Sequence, residues 1–282
     1  MITFPNAKIN LGLNITEKRE DGYHNIETLF YPINLRDTLE FVVSDEEEMC
    51  SFSSDGLAIQ GSTKNNLIFK AYDLLRVDYD IPALDIFLLK NIPMGAGLGG
   101  GSADAAFMLS MLNEQFNLEI SSEKLLEYAA RIGADCPFFL INKPIIASGI
   151  GNIFSPCTLD LSRYTIFLVK PEIHVNTAEA YGGCKPAKWA VPLQDIIQME
   201  VGKWRELLKN DFEDTVFAIH PKLGEIKELL YSSNAVYSAM SGSGSTIFGL
   251  FERDECNKEE IDTKVKLILN NTDFTSYQLE ML

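Results

Sequence analysis

Residues 93 to 106 read Pro-Met-Gly-Ala-Gly-Leu-Gly-Gly-Gly-Ser-Ala-Asp-Ala-Ala, five glycines leading straight into an alanine-rich, helix-forming run. The apolar stretch Ile86-Phe87-Leu88-Leu89 comes just before it and reads as the strand that feeds the turn. Glycine lacks a Cβ, so such a backbone bends tightly and lets a ligand come close. The helix start behind it offers unpaired N–H groups and a positive dipole end. Together these features make a cradle for phosphate.

Two common phosphate loops can be tested against this segment. Gly95, Gly97 and Gly100 meet the spacing of the dinucleotide fingerprint, and Glu119 stands about 20 residues on, as that pattern wants. The fingerprint belongs at the first βαβ unit of a parallel sheet. Here strand-rich sequence precedes it, Pro93 interrupts the passage into the loop, and Glu119 lies beyond the following helix. Gly95 and Gly100 also have the P-loop spacing, but Gly101 occupies the position of the phosphate-binding lysine. A turn serving only close packing needs fewer glycines.

Three separated segments carry a resemblance. They are Pro5-Asn6-Ala7-Lys8-Ile9-Asn10-Leu11, the loop from 93 to 106, and Met240-Ser241-Gly242-Ser243-Gly244-Ser245. In this order, across the whole chain, they resemble the GHMP kinases, named for galactokinase, homoserine kinase, mevalonate kinase and phosphomevalonate kinase. The resemblance implies an α+β, two-domain architecture. An N-terminal ribosomal S5-like domain would carry the glycine loop over residues 1–150. A ferredoxin-like C-terminal domain would follow over 151–282, with the active site in the cleft between them. Two further segments, Asp21-Gly22-Tyr23-His24-Asn25-Ile26-Glu27-Thr28-Leu29-Phe30 and Gly133-Ala134-Asp135-Cys136-Pro137-Phe138-Phe139, narrow the match. They are similar to the members that phosphorylate the 2-hydroxyl of a cytidyl diphosphate derivative of methylerythritol, on the non-mevalonate route to isoprenoid precursors. The alternative within the family is a kinase of homoserine or mevalonate type. A nicotinamide oxidoreductase and a catalytically dead ligand sensor are the rivals from other classes.

The resemblance assigns roles residue by residue. Pro93, Met94, Gly95, Ala96, Gly97, Leu98, Gly99, Gly100, Gly101, Ser102 and Ala103 would hold ATP, with backbone N–H groups from 97 to 103 around its phosphates. Ser102 either caps the helix or turns its hydroxyl to phosphate-bound Mg²⁺. Asp104, in the first turn, suits the helix dipole. The proton-accepting aspartate falls at Asp135, and Lys8 is its partner, holding it ionised or offsetting transition-state charge. Asn10, on the same strand face as Lys8, is expected to bond the acceptor. Tyr23 and His24 would read a cytosine ring, with Tyr181 as a second stacking face and Thr177 nearby. Gly242 and Ser243 would close over the acceptor's diphosphate. Lys90 and Asn65-Asn66-Leu67 are placed at the border of an adenine pocket.

Composition sets outer bounds. The formal charge is −16, from 24 basic and 40 acidic residues, which argues against a nucleic-acid partner. Binding of anionic substrates must therefore rely on local donors. The acidic run Asp45-Glu46-Glu47-Glu48 reads as a solvated loop. Five scattered cysteines suggest neither a metal site nor a disulfide framework, so reduced thiols in a cytoplasm are expected. No signal-peptide pattern or membrane-length apolar run is seen. The expected form is a monomer or weak homodimer.

Along the chain, residues 8 to 15 alternate like a half-buried strand, with Ile9, Leu11, Leu13 and Ile15 on one face. Strands are expected at 28 to 32, 38 to 43, 84 to 89, 165 to 170 and 246 to 251. Helices are expected at 66 to 75, 102 to 116, 123 to 132 and 223 to 231, with Gly133 as a left-handed cap. A last helix and strand close the chain. Residues 149 to 152 read as a crossing point between the halves.

Overall fold

The computed structural model describes residues 1–45, 50–59, 65–253 and 255–282. Glu46, Glu47 and Glu48 of the acidic run lie outside the described residues. Twelve strands are assigned among the described residues: β1 (Ile2–Thr3), β2 (Asn6–Lys18), β3 (His24–Arg36), β4 (Thr38–Val43), β5 (Ser51–Gly56), β6 (Leu84–Lys90), β7 (Ile145–Ser148), β8 (Ile153–Pro156), β9 (Tyr164–Pro171), β10 (Tyr237–Met240), β11 (Ile247–Glu252) and β12 (Phe274–Glu280). The principal helices are α1 (Leu67–Arg76), α2 (Gly100–Gln115), α3 (Ser122–Ile132), α4 (Cys136–Ile141), α5 (Thr177–Gly182), α6 (Leu193–Ile196), α7 (Trp204–Leu207), α8 (Glu213–Ile219), α9 (Pro221–Ser232) and α10 (Lys258–Ile268). Contacts divide the chain into two compact units. One comprises Met1–Ala7, Leu35–Met94 and Gly99–Lys143; the other comprises Lys8–Asn34, Gly95–Leu98 and Pro144–Leu282.

The first unit is a four-stranded sheet, in the order β1-β4-β6-β5, covered on one face by helices. In β6 the apolar run alternates: Leu84, Ile86 and Leu88 are buried, whereas Phe87 and Leu89 are exposed. The inward residues pack with Ile68, Tyr72 and Leu75 of α1 and with Met108, Leu109 and Leu112 of α2. Helix α2 is buried nearly all round, so the one apolar stripe expected of it is exceeded. It lies against α1, α3 and α4, and its small residues allow close approach. Asn66 caps α1, its Oδ1 accepting from the Ile68 N–H at 2.9 Å. Gly133 ends α3 in an extended conformation, φ −175°, instead of the left-handed cap expected. Its N–H still donates to the Ala129 carbonyl, so the helix closes without a positive φ.

The second unit holds two sheets. One runs β2-β3-β7-β8 and the other runs β10-β11-β9-β12. The latter is antiparallel throughout and has the βαββαβ order of a ferredoxin-like fold, with β9 and β11 central. Ile166, Phe167, Leu168 and Val169 of β9 are all fully buried, because both faces of this strand are covered. Leu223, Ile226 and Leu230 of α9 and Ile261 and Val265 of α10 close one side of the core. Residues 149 to 152 form the turn of the β7–β8 hairpin within this unit. The expected crossing point is therefore a local reversal, with Gly149 and Gly151 at positive φ supplying it.

Within the first unit, one buried ionic group fixes the entry to the glycine loop. Asp37 Oδ1 accepts from the N–H groups of Asn91 and Ile92 at 2.6 and 2.8 Å. Its Oδ2 accepts from Lys90 Nζ. The same ammonium donates to Asp104 Oδ2 on α2 at 2.7 Å. Asp104 is thus an ion-pair residue of the core, where a dipole role in the first turn was expected. Lys90 is correspondingly spent inside the protein and is not a free pocket lysine. Burial works against the Lys90 ammonium, but Asp104 and Asp37 outweigh it and raise its pKa. Burial pushes the Asp104 carboxyl up to about 8; Lys90 opposes the shift and Asp37 adds to it. Asp104 Oδ1 has no hydrogen-bond partner among the described residues.

This arrangement has a pH signature. The folded Asp104 carboxyl holds its proton more tightly than the unfolded one, whose ordinary value is 3.8. Its stabilising contribution is complete below that value and is lost as the pH rises through about 8. Asp104→Asn removes this slope. Urea unfolding is expected to show wild type losing stability relative to the variant between pH 5 and 8; a pH-independent difference would refute the assignment.

Candidate active site

The glycine loop is shaped by backbone geometry at defined positions. Gly95, Gly97 and Gly99 have φ of 61°, 77° and 72°, a region that side chains rarely adopt. A Cβ on Gly97 would fall 1.9 Å from the Ser241 carbonyl oxygen. On Gly100 it would meet Ile92 Cγ2 at 2.7 Å. Gly101 differs: its φ is not positive, and the nearest atom to an added Cβ, Leu67 Cδ1, is 3.9 Å away. Protein packing therefore does not demand glycine at 101. Open space over a helix N-terminus suits a phosphate group that approaches the backbone.

The helix start also limits the cradle. Gly99, left-handed, occupies the N-cap position and offers no side chain, leaving the first N–H groups of α2 uncapped by it. The Ala103 N–H is already donated to Gly99 O at 2.9 Å, so its expected place around the phosphates is lost to the helical ladder. Ser102 is the third residue of α2, not its cap, and stands near the Cys136 thiol. Burial pushes that thiol up to about 12, with Ser102 opposing. No group of three or more His, Cys, Asp or Glu side chains able to hold a metal occurs among the described residues.

Strand β2 supplies Lys8 and Asn10. The expected half-burial is exceeded here: Lys8, Asn10 and Asn14 are as buried as the apolar residues between them. Loop backbone covers this polar face, since Lys8 N donates to Leu98 O at 3.0 Å and Leu13 N to Lys209 O at 2.8 Å. Lys8 Nζ donates to Asn10 Oδ1 at 2.7 Å and stands 5.0 Å from the Phe30 ring centroid. Asn10 Nδ2 donates to Thr28 Oγ1 at 3.0 Å. One acceptor site and one N–H of the Asn10 amide are therefore engaged, with Lys8 and Thr28. Thr28, buried, donates its own hydroxyl hydrogen bond to Gly12 O and completes the chain.

Residues 241 to 246 connect β10 to β11. Asn210 Nδ2 donates to Met240 O at 2.7 Å and to Gly242 O at 2.8 Å. Glu213 Oε1 accepts from Met240 N at 2.8 Å, and its Oε2 accepts from Lys227. Neither residue has a motif around it, and both were missed by sequence reasoning. Ser243 Oγ lies 3.0 Å from Thr177 Oγ1, so two residues expected on one substrate do come together.

Tyr23, His24, Thr177, Ala178 and Tyr181, with Ile150, line a cavity of about 580 Å³. The His24 and Tyr181 rings stack at 4.7 Å with an 18° tilt. Tyr181 in turn meets Phe212 edge-on at 4.7 Å. Burial and the nearby Lys18 charge lower the His24 pKa, which favours a neutral ring able both to donate and to accept. Tyr23 is well exposed at this cavity. The expected aromatic cluster is therefore assembled, and Phe212 is the support the sequence did not reveal.

Asp135 stands at the start of α4, partly buried. Its φ and ψ are −84° and −16°, and its side chain does not cap the helix. Pro137 at the second helical position fixes the turn that presents it. Asn142, left-handed at φ 50°, ends the same short helix and exchanges two amide hydrogen bonds with Asn6.

The chain is similar to known proteins over nearly all of its length. The sequence matches the family descriptions GHMP kinases N terminal domain over residues 66–143 and GHMP kinases C terminal over residues 193–261. A protein of Bacteroides fragilis named 4-diphosphocytidyl-2-C-methyl-D-erythritol kinase is 56% identical over 256 residues, covering 90% of this chain and 93% of that one. A crystal structure of 4-(cytidine 5'-diphospho)-2C-methyl-D-erythritol kinase is similar at a TM-score of 0.79 and 29% identity, over 99% of both chains. The mevalonate kinase of Methanococcus jannaschii, at TM-score 0.69 and 15% identity over 100% of this chain and 98% of that one, shares the fold.

Gly101 provides a separation of packing from binding. Gly101→Ala adds a methyl to open space in a helix, so the thermal unfolding temperature is expected to hold or rise slightly. Calorimetric titration with a non-hydrolysable ATP analogue is expected to show affinity about tenfold weaker, one hydrogen-bonding approach being blocked. Unchanged affinity would mean that the space is not used by the nucleotide.

Proposed function

The chain belongs to the GHMP kinase family, and on that premise we propose that it transfers the γ-phosphoryl group of ATP to the 2-hydroxyl of 4-diphosphocytidyl-2-C-methyl-D-erythritol. The observation that carries the choice of acceptor is the aromatic cavity of Tyr23, His24 and Tyr181. Homoserine and mevalonate have no ring to place there, whereas cytosine offers a planar face for stacking and a polar edge for a neutral imidazole. The name of the Bacteroides fragilis relative supports the same reading.

Phosphoryl transfer asks the protein mainly for positioning and charge neutralisation. The uncapped N–H groups of Gly100, Gly101 and Ser102 hold the ATP phosphates, in a space that the glycines keep open. The Ser102 hydroxyl is the protein oxygen that would hold a phosphate-bound Mg²⁺, which would supply charge neutralisation there. The acceptor oxygen forms a bond to the γ-phosphorus as the bond to the β-phosphate oxygen breaks. ADP leaves, and the hydroxyl proton passes to the Asp135 carboxylate. The Lys8 ammonium, oriented by Asn10 and Thr28, offsets the developing negative charge. Thr177 and Ser243 offer hydroxyls to the acceptor's diphosphate. The five free cysteines suit a reducing cytoplasm, and among the described residues no helix is long and apolar enough to cross a membrane.

An ATP-consumption assay over the cytidyl acceptor, homoserine and mevalonate tests the reading directly. Turnover is expected with the first alone, and turnover confined to either of the others would overturn it. Asp135→Asn is expected to lower kcat by about 10³-fold, near the middle of the range for losing a positioned base, with ATP-analogue affinity unchanged. Stopped-flow and binding measurements on the same preparation separate the two effects.

A further inference from the structure

The Ser241 side chain is fully buried and joins three segments of the second unit. Its Oγ donates to the Gly97 carbonyl at 2.8 Å and accepts from the Asn10 N–H at 3.3 Å. Its own carbonyl oxygen fills the space that a Gly97 Cβ would need. Thr246 N donates to Ala96 O at 3.4 Å, a second tie between the same two segments. The 241–245 loop is closed on itself by Ser241 N to Thr246 O at 2.9 Å and Gly244 N to Ser241 O at 3.0 Å. Asn210 and Glu213 hold its first half from below. Residues 95 to 98 and 240 to 246 are consequently one packed body, and the strand that carries Lys8 is bonded into it.

We propose that Ser241 is a positioning residue that couples nucleotide binding at the glycine loop to acceptor binding at the Ser-Gly loop. The inference rests on the reading above, in which the first loop takes ATP and the second faces the acceptor diphosphate. Close-packed segments joined by hydrogen bonds shift together rather than separately. A ligand that orders residues 95 to 98 then pre-pays part of the ordering of residues 241 to 245, and the reverse holds to the same degree. A buried hydroxyl with one donor and one acceptor bond made is the smallest group able to carry this link. Truncating it leaves the Asn210 and Glu213 supports in place.

Calorimetric titrations of the full chain with ADP and with 4-diphosphocytidyl-2-C-methyl-D-erythritol, each alone and in the presence of the other, test this. ADP has no γ-phosphate, so any coupling is not a direct contact at the reacting oxygen. In wild type each ligand is expected to tighten the other about tenfold, within the usual range of coupling between sites, and equally in both directions. In Ser241→Ala the factor is expected to fall below about twofold, with each ligand's separate Kd changed less than about threefold. Ser241→Thr retains the hydroxyl and is expected to restore the factor. Ser241→Cys, of similar volume but a weaker donor, is expected to lie between, so the test does not hang on the alanine variant folding. Equal coupling in wild type and in Ser241→Ala overturns the inference, as does wild type binding both ligands with no coupling. Wild type that binds ADP but not the cytidyl compound overturns the acceptor assignment, and this inference falls with it.

Discussion

A single buried ammonium, that of Lys90, sits where strand β6 hands over to the glycine loop, and the loop's shape depends on it. Asp37 holds it on one side while gripping the N–H groups of Asn91 and Ile92 with its other oxygen. Asp104 holds it on the other side, from the first turns of α2. Strand end and helix start are thereby fixed in one geometry, and the glycines between them need only supply the curve. Breaking one partner of such a buried group costs far more than an exposed pair contributes, because a charge is left without compensation. One Asp104 oxygen is left without a hydrogen-bond partner among the described residues.

The second unit uses the same device with neutral groups. Buried amides and hydroxyls, Asn10, Thr28, Asn210 and Ser241, satisfy backbone atoms that irregular loops would otherwise leave unpaired. A loop rich in glycine has little side-chain packing to hold it, so its conformation must be imposed by neighbours. These polar residues impose it from strands and helix starts, which are stiffer than the loop itself. The proposed chemistry, which needs positioned donors more than reactive groups, follows from that rigidity.

Much of this was legible in the chain. Local patterns placed α1, α3, β4, β6, β9, β11 and the glycine loop, because each is dictated by spacing, caps or turn residues within a few positions. The reading also paired His24 with Tyr181, and the two rings do stack. The misreadings share one cause. Asp104 was read as a dipole partner and Lys90 as a pocket lysine, and the ionic partners that decide both lie beyond the local pattern, on another strand end or helix. Strand β2 read as half-buried because alternation shows which residues differ in polarity, not whether loops 98 and 209 to 211 come to cover the polar ones.

The amino-acid order alone determined where the backbone must curl, since glycine adopts the positive φ at 95, 97 and 99 most readily and the uncapped helix behind them leaves N–H groups for an anion. It also determined the apolar faces that drive both cores. What the tertiary structure decided was the assignment of polar side chains to orienting or to binding work. A hydrogen bond depends on an approach of about 3 Å, and that approach between residues such as Ser241 and Gly97 exists only once the chain has folded.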